Sequence, residues 1–406
     1  MARASPRSAR NAGIHHKFRL QFDPIEDLKR INKHPEPSSS QKPRETKTIN
    51  TINTTTTTTT TGGTPNPIWN QDATTPQQRH TTSMQPNVDV FSISFSPDSA
   101  QMAVSFTDGT VRIVDNESKS LSKVLNCTDD EFVTTCVRYR PLIGSTHKSK
   151  HVLICCTGNG SIQHWHVPTG KKLFEIQEED NYLYALDYSL DGEHFASAGK
   201  DATVRVYEET TKSLLVELKR SIFSGRSDGH SQPIYSVKFH PRDQNMLLSS
   251  GWDDTVHVWD IRSGRSVRRW NGPHVAADSL DVHEDAVLTG SWREKDGLQI
   301  WDLGSGKLVK TLDYHSKDKK HKCSDFIYAA QFSHDGTLIA AGGSHVDETR
   351  IFDVRKGCRR IGSVITRAKG VYVTSFARNG RWLASGSEDG HMCLVDMIPD
   401  DDEDYF

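Results

Sequence analysis

The chain has 406 residues and a formal net charge of −2, enough length for one large repeat domain with a tail. That balance gives no reason to expect a polyanionic partner for the whole chain, and no apolar run approaches the length of a membrane span. Charge is uneven, however: residues 1–80 hold 12 Lys/Arg against 6 Asp/Glu, and the remainder holds 38 against 46, the pattern of a basic tail on an acidic folded domain.

Residues 1–30 lack the apolar stretch of a signal peptide, and the seven cysteines form no Cys-x-x-Cys pair. Reduced core thiols in a cytoplasmic or nuclear protein are therefore expected. Cys155 and Cys156 are adjacent and would point to opposite sides of a strand.

In chain order, residues 1–75 come first. Residues 35–87 are rich in Pro, Ser, Thr, Asn and Gln, with eight consecutive threonines from Thr54 to Thr61. Such a segment cannot bury enough apolar surface to offset chain entropy and is predicted to be disordered. An island at residues 18–31 differs: Asp23-Pro24 reads as a helix start, and Ile25, Leu28 and Ile31 fall near one helical face. A docking motif, a helix packed on the domain's own wall and a chance pattern all fit it.

From Val88 onward the sequence repeats. Each unit opens with an alternating strand: Phe91–Phe95, Thr135–Tyr139, Tyr184–Tyr188, Tyr235–Phe239, Asp278–Val282, Tyr328–Phe332 and Tyr372–Phe376. Each closes on a bulky-acidic signature, of which Trp259-Asp260 and Trp301-Asp302 are the cleanest. The closing positions recur every 42 to 52 residues, the period of a four-stranded propeller blade with loop insertions. Over roughly residues 80–398 the chain resembles the WD40 family. The resemblance implies an all-β fold, a seven-bladed propeller spanning 76–398, with the acidic segment 399–406 as a C-terminal tail.

The resemblance also implies a buried tetrad of His230, Ser249, Asp253 and Trp259, in which imidazole, hydroxyl and indole satisfy a buried carboxylate. His230, Ser249 and Asp253 are read as this structural set and not as a hydrolase triad. Partial sets are expected as Ser197 with Asp201 and as Ser385 with Asp389. Blade seven runs out of chain after Asp396, so its outer strand is expected from residues 76–86, which closes the ring. Residues 1–75 are expected to be dispensable for folding.

No phosphate-binding loop, nucleophile elbow or paired metal motif is visible, so no enzyme, cofactor or metal is expected. His315, His321 and Cys323 read as part of a solvated basic loop. In WD40 propellers the first residue of each inner strand points toward one mouth of the central channel. Those positions here are Phe91, Thr135, Tyr184, Tyr235, Asp278, Tyr328 and Tyr372, five of them aromatic. Tyr182, Trp252, Trp292, Arg293 and Phe326 belong to the same end. Such a concentration predicts a site for a protein or peptide partner, against the alternative that the rings pack between blades. Lys219, Arg220, Arg226, Lys317, Lys319, Lys320 and Lys322 add a basic rim that suits an acidic or phosphorylated peptide. Neither a membrane nor a nucleic acid is the expected direct ligand, and the chain is expected to act as one subunit within a larger complex. A second reading comes from Trp259-Asp260-Ile261-Arg262, with a degenerate copy ending at Arg355. It resembles the motif by which WD40 substrate receptors contact the adaptor of cullin-4 ubiquitin ligases.

Overall fold

In the computed structural model, residues 79–83, 88–128, 132–142, 151–220, 228–314, 326–344, 347–366 and 370–397 are described. The tail and its island at 18–31, Arg226, the segment 315–325 with its lysines, His315, His321 and Cys323, and the acidic tail 399–406 lie outside them.

Among the described residues, alternation of β-branched and aromatic residues with small polar ones produces 28 strands, arranged as seven antiparallel four-stranded sheets. The protein is a seven-bladed β-propeller. The inner strands of blades one to seven are Val90–Phe95, Thr134–Tyr139, Leu183–Tyr188, Ile234–Phe239, Leu280–His283, Ile327–Phe332 and Val371–Phe376. In the first six blades the chain then meanders outward through three further strands. Blade seven takes its outermost strand from Arg79–Ser83, which pairs antiparallel with His391–Asp396, Arg79 opposite Val395 and Ser83 opposite His391.

The core is not one mass but seven apolar clusters, one in each gap between neighbouring blades. Val90, Met102 and Phe106 of blade one meet Val373, Trp382 and Met392 of blade seven, so the closing gap is packed like the others. Cys155 belongs to the gap between blades one and two, where its sulphur lies 3.3 Å from that of Cys127. Cys156 belongs to the next gap, so the adjacent pair does face opposite ways. At about 1.5–3 kcal/mol per buried large apolar side chain, these gaps supply the stability. Outer strands carry little of it: Leu121, Leu173 and Val309 are each more than half exposed.

Six of the seven inner strands share an irregularity that positions the site. Their register against the second strand shifts by one residue near the start, leaving Phe91, Thr135, Tyr184, Tyr235, Tyr328 and Tyr372 as the extra, unpaired residues. A bulge of this kind re-aims a side chain out of the sheet. Blade five has no bulge: its inner strand begins only at Leu280 and pairs regularly with Ala286–Gly290.

Candidate functional site

The bulged residues and the loops beside them form a chain of aromatic rings around one mouth of the channel. Tyr182 lies 5.2 Å from Tyr184, which stacks on Tyr235 of the next blade at 4.5 Å. Tyr235 leads to Trp252 at 5.8 Å, Trp252 to His274 at 5.5 Å and His274 to Trp292 at 6.5 Å. Trp292 stacks on Phe326 at 4.6 Å and donates from Nε1 to the Tyr328 hydroxyl at 3.2 Å. Tyr328 meets Tyr372 edge-on at 5.5 Å. The arc therefore runs without a break from blade three to blade seven. Its far end needs a glycine: a Cβ on Gly158 would sit 2.4 Å from the Tyr182 ring.

The rings are not equally available. Tyr235 and Tyr328 are buried, at 5% and 8% exposure, and serve as the floor. Tyr182, Tyr184, Trp252, His274, Trp292, Phe326 and Tyr372 are half-buried. The alternative of interblade packing thus holds for two of the expected rings. Asp254, in the left-handed region at φ 61°, gives the arc a polar edge by taking His274 Nδ1 at 2.7 Å and Arg293 at 3.1 Å. His274 is a member that the sequence reading missed. It falls in the irregular stretch Gly272–Ser279, six residues before its inner strand, so no strand periodicity marked it.

Three positions from the expected ring stand apart. Phe91 is half-buried on blade one and stacks on no other ring among the described residues. Thr135 is buried and donates its hydroxyl to the Leu183 carbonyl at 2.8 Å, an interblade tie. Asp278 does not belong to the aromatic mouth. Lacking the bulge, its carboxylate runs into the channel, where it pairs with Arg138, with Lys238 at 3.0 Å and with Ser236 Oγ at 2.9 Å. Burial alone would raise its pKa, but the charges of Lys238 and Arg138 override that and hold it well below the usual carboxylate range.

That pairing belongs to a girdle near the opposite end of the inner strands. A residue near the end of one inner strand accepts from the backbone N–H that ends the next: Ser94 from Tyr139, Asp187 from Phe239, Asp281 from Phe332 and Gln331 from Phe376. Arg138 and Lys238 occupy the same position in blades two and four. As cations they cannot accept, and they turn to Asp278 instead.

The tetrad is formed in blade four. His230 Nδ1 lies 2.9 Å from Asp253, its Nε2 lies 2.7 Å from Ser249 Oγ, and Trp259 Nε1 donates to the same hydroxyl at 2.7 Å. His257 lies near enough to make a metal-like group with His230 and Asp253, yet both nitrogens of His230 are already engaged. This is a structural network. The set expected in blade three is different: Ser197 donates to Glu178 and not to Asp201. Glu178 also receives Tyr207 at 3.0 Å, Asn181 at 2.8 Å and Arg205 at 2.8 Å, while Asp201 pairs with Arg205 at 2.7 Å. In blade seven Ser385 bonds Thr349 at 2.7 Å, and the side chain of Asp389 lies outside the described residues. Arg262 is 71% exposed on a turn at the end away from the arc and pairs with its own Asp260 at 3.3 Å; Arg355 is exposed on the equivalent turn of blade six.

Among the described residues no helix is long and apolar enough to cross a membrane. A family model described as "WD domain, G-beta repeat" matches residues 77–115, 170–208, 221–260 and 361–396. Relatives include the WD repeat-containing protein slp1 of Schizosaccharomyces pombe, 23% identical over 70% of this chain and 54% of that protein. The eukaryotic translation initiation factor 3 subunit I of Neurospora crassa is 20% identical over 41% of this chain and 49% of its own. A guanine nucleotide-binding protein subunit beta of Zea mays is 26% identical over 41% and 43% respectively. The chain thus spans about half the length of the curated relatives it matches.

Proposed function

The chain is a WD40-repeat β-propeller, and on that premise we propose that it is a non-catalytic interaction platform that captures a protein segment across its aromatic arc. The observation that carries this reading is the continuity of the rings from Tyr182 to Tyr372. Buried aromatics at the floor hold half-buried aromatics in place, so a partner meets preorganised surface and large area is covered at little entropic cost. Exposed Lys219 and Arg220, with Arg293 at 43%, favour a partner segment that is acidic or phosphorylated. The work belongs in the cytoplasm or nucleus, within a larger assembly.

The test is proximity labelling with the full chain and its Tyr184→Ala/Trp252→Ala double variant. The variant should lose its main partners while its melting temperature stays within a few degrees. Tyr235→Ala, by contrast, should lose about 3 kcal/mol of stability, because it empties a buried site. An unchanged partner set in the folded double variant sinks the proposal.

The exposure of Arg262 favours a second reading, a substrate receptor for a cullin-4-type ligase. The adaptor should then copurify with the wild-type chain and be lost with Arg262→Ala. Its absence from the wild-type eluate rejects that role.

A further inference from the structure

Where the inner strands finish, the channel opens into a cavity of about 550 Å³. Its wall is electrically divided. Toward blades two to five, Arg138 and Lys238 are balanced against Asp278 and Asp187. Toward blades five to seven stand His283, His334 and Arg378, with no ion pair to any of them among the described residues.

The carboxylates closest to this second group are occupied. Asp335 accepts from Ser333 Oγ at 2.6 Å and from the Thr337 backbone and hydroxyl at 3.1 and 2.9 Å. Glu284 pairs with Arg242 at the rim. Asp281 accepts the backbone N–H groups of Phe332 and Val282 at 2.8 and 2.9 Å. Arg378 is half-buried, and burial, with no opposing carboxylate, draws its pKa below the ordinary value. His334 is more exposed, and its partial covering lowers its pKa too, reinforced by Arg378 and His283 and opposed by Asp335. Thr374, 6% exposed in the same wall, has a hydroxyl with no hydrogen-bond partner.

We propose that this corner binds a single oxyanion, a carboxylate or phosphate group, with Arg378 as its charged donor and His283 and His334 as flanking donors. A cation drawn partly out of water without a counter-ion is unfavourable, and the two imidazoles nearby supply no negative charge to balance it. An anion in the cavity supplies that charge and accepts charge-assisted hydrogen bonds. The site lies at the end of the channel opposite the aromatic arc, so a partner can occupy one without displacing the other.

The full chain is titrated with inorganic phosphate and, separately, with acetate, following the imidazole resonances of His283 and His334 by NMR. At least one anion should shift the resonances of both histidines; the tighter of the two identifies the source of the oxyanion. Arg378→Gln should weaken that titration about tenfold, the loss expected for one charge-assisted contact. If Arg378→Gln does not fold, His334→Asn, at an exposed position, carries the same comparison with a smaller weakening. Histidine resonances that move with neither anion overturn the site, as does an unchanged affinity in whichever variant folds.

Discussion

The channel is bordered by aromatic rings at one mouth, from blade three to blade seven, and by polar and charged side chains at the other. The difference follows from backbone geometry. At the aromatic mouth a bulge frees one residue per blade from sheet pairing, so its side chain is limited only by its neighbours around the ring. At the charged mouth four blades place an acceptor for a backbone N–H of the next blade, Ser94, Asp187, Asp281 and Gln331, and blades two and four place the cations Arg138 and Lys238, which tie to Asp278. One end is therefore open to adaptation for binding, and the other is committed to holding the ring together. Blade five crosses the divide, since without a bulge its Asp278 serves the charged mouth.

The sharpest way to break this comparison is Asp278→Ala. It leaves Arg138 and Lys238 facing each other in the channel without their shared carboxylate. Urea unfolding should show a loss of about 3 kcal/mol, while partner capture at the aromatic mouth persists. A loss of capture with stability unchanged would mean that the two mouths are not separate systems.

A smaller effect should come from Asp281→Asn. Burial, against the charge of Lys238, pushes the Asp281 carboxyl up to about 6. The folded pKa thus lies above the ordinary 3.8, so the stability this group contributes is full below 3.8 and is lost as pH rises through about 6. Asn keeps one acceptor oxygen and does not titrate. Between about pH 5 and about pH 8 the wild type should lose on the order of 1–2 kcal/mol more than the variant. Parallel pH curves would show that Asp281 is already solvated.

Much of this was legible in the sequence. The strand alternation gave the blades, and Gly229-His230 with Ser249, Asp253 and Trp259 gave the tetrad, because fixed residue types recur at fixed offsets. What escaped needed the third dimension. Glu178 stands shortly before its inner strand, much as His230 does before its own, but a carboxylate there reverses the polarity of the network, and Ser197 turned to it and not to Asp201. Asp278 aligned with the aromatic positions by residue count, although only a bulge sends that position to the mouth. Tyr235 and Tyr328 have the same sequence context as Tyr184, yet they are buried where Tyr184 is half-buried, a difference set by packing around the ring and not by the local sequence.

The pairing of Arg79–Ser83 with His391–Asp396 also sets a clock. More than 300 residues separate the two strands, so on the ribosome the first must wait, at about 5–20 residues per second, roughly 15 to 60 s for its partner to be made. Throughout that interval blade seven is incomplete and its neighbour has an unsealed flank. The final step is the joining of distant segments, the slowest kind of contact to find by diffusion. A ribosome that stalls within the seventh repeat would release a chain with most of its arc present and no means of locking it. Such a chain is open to pairing with the same strand of another copy.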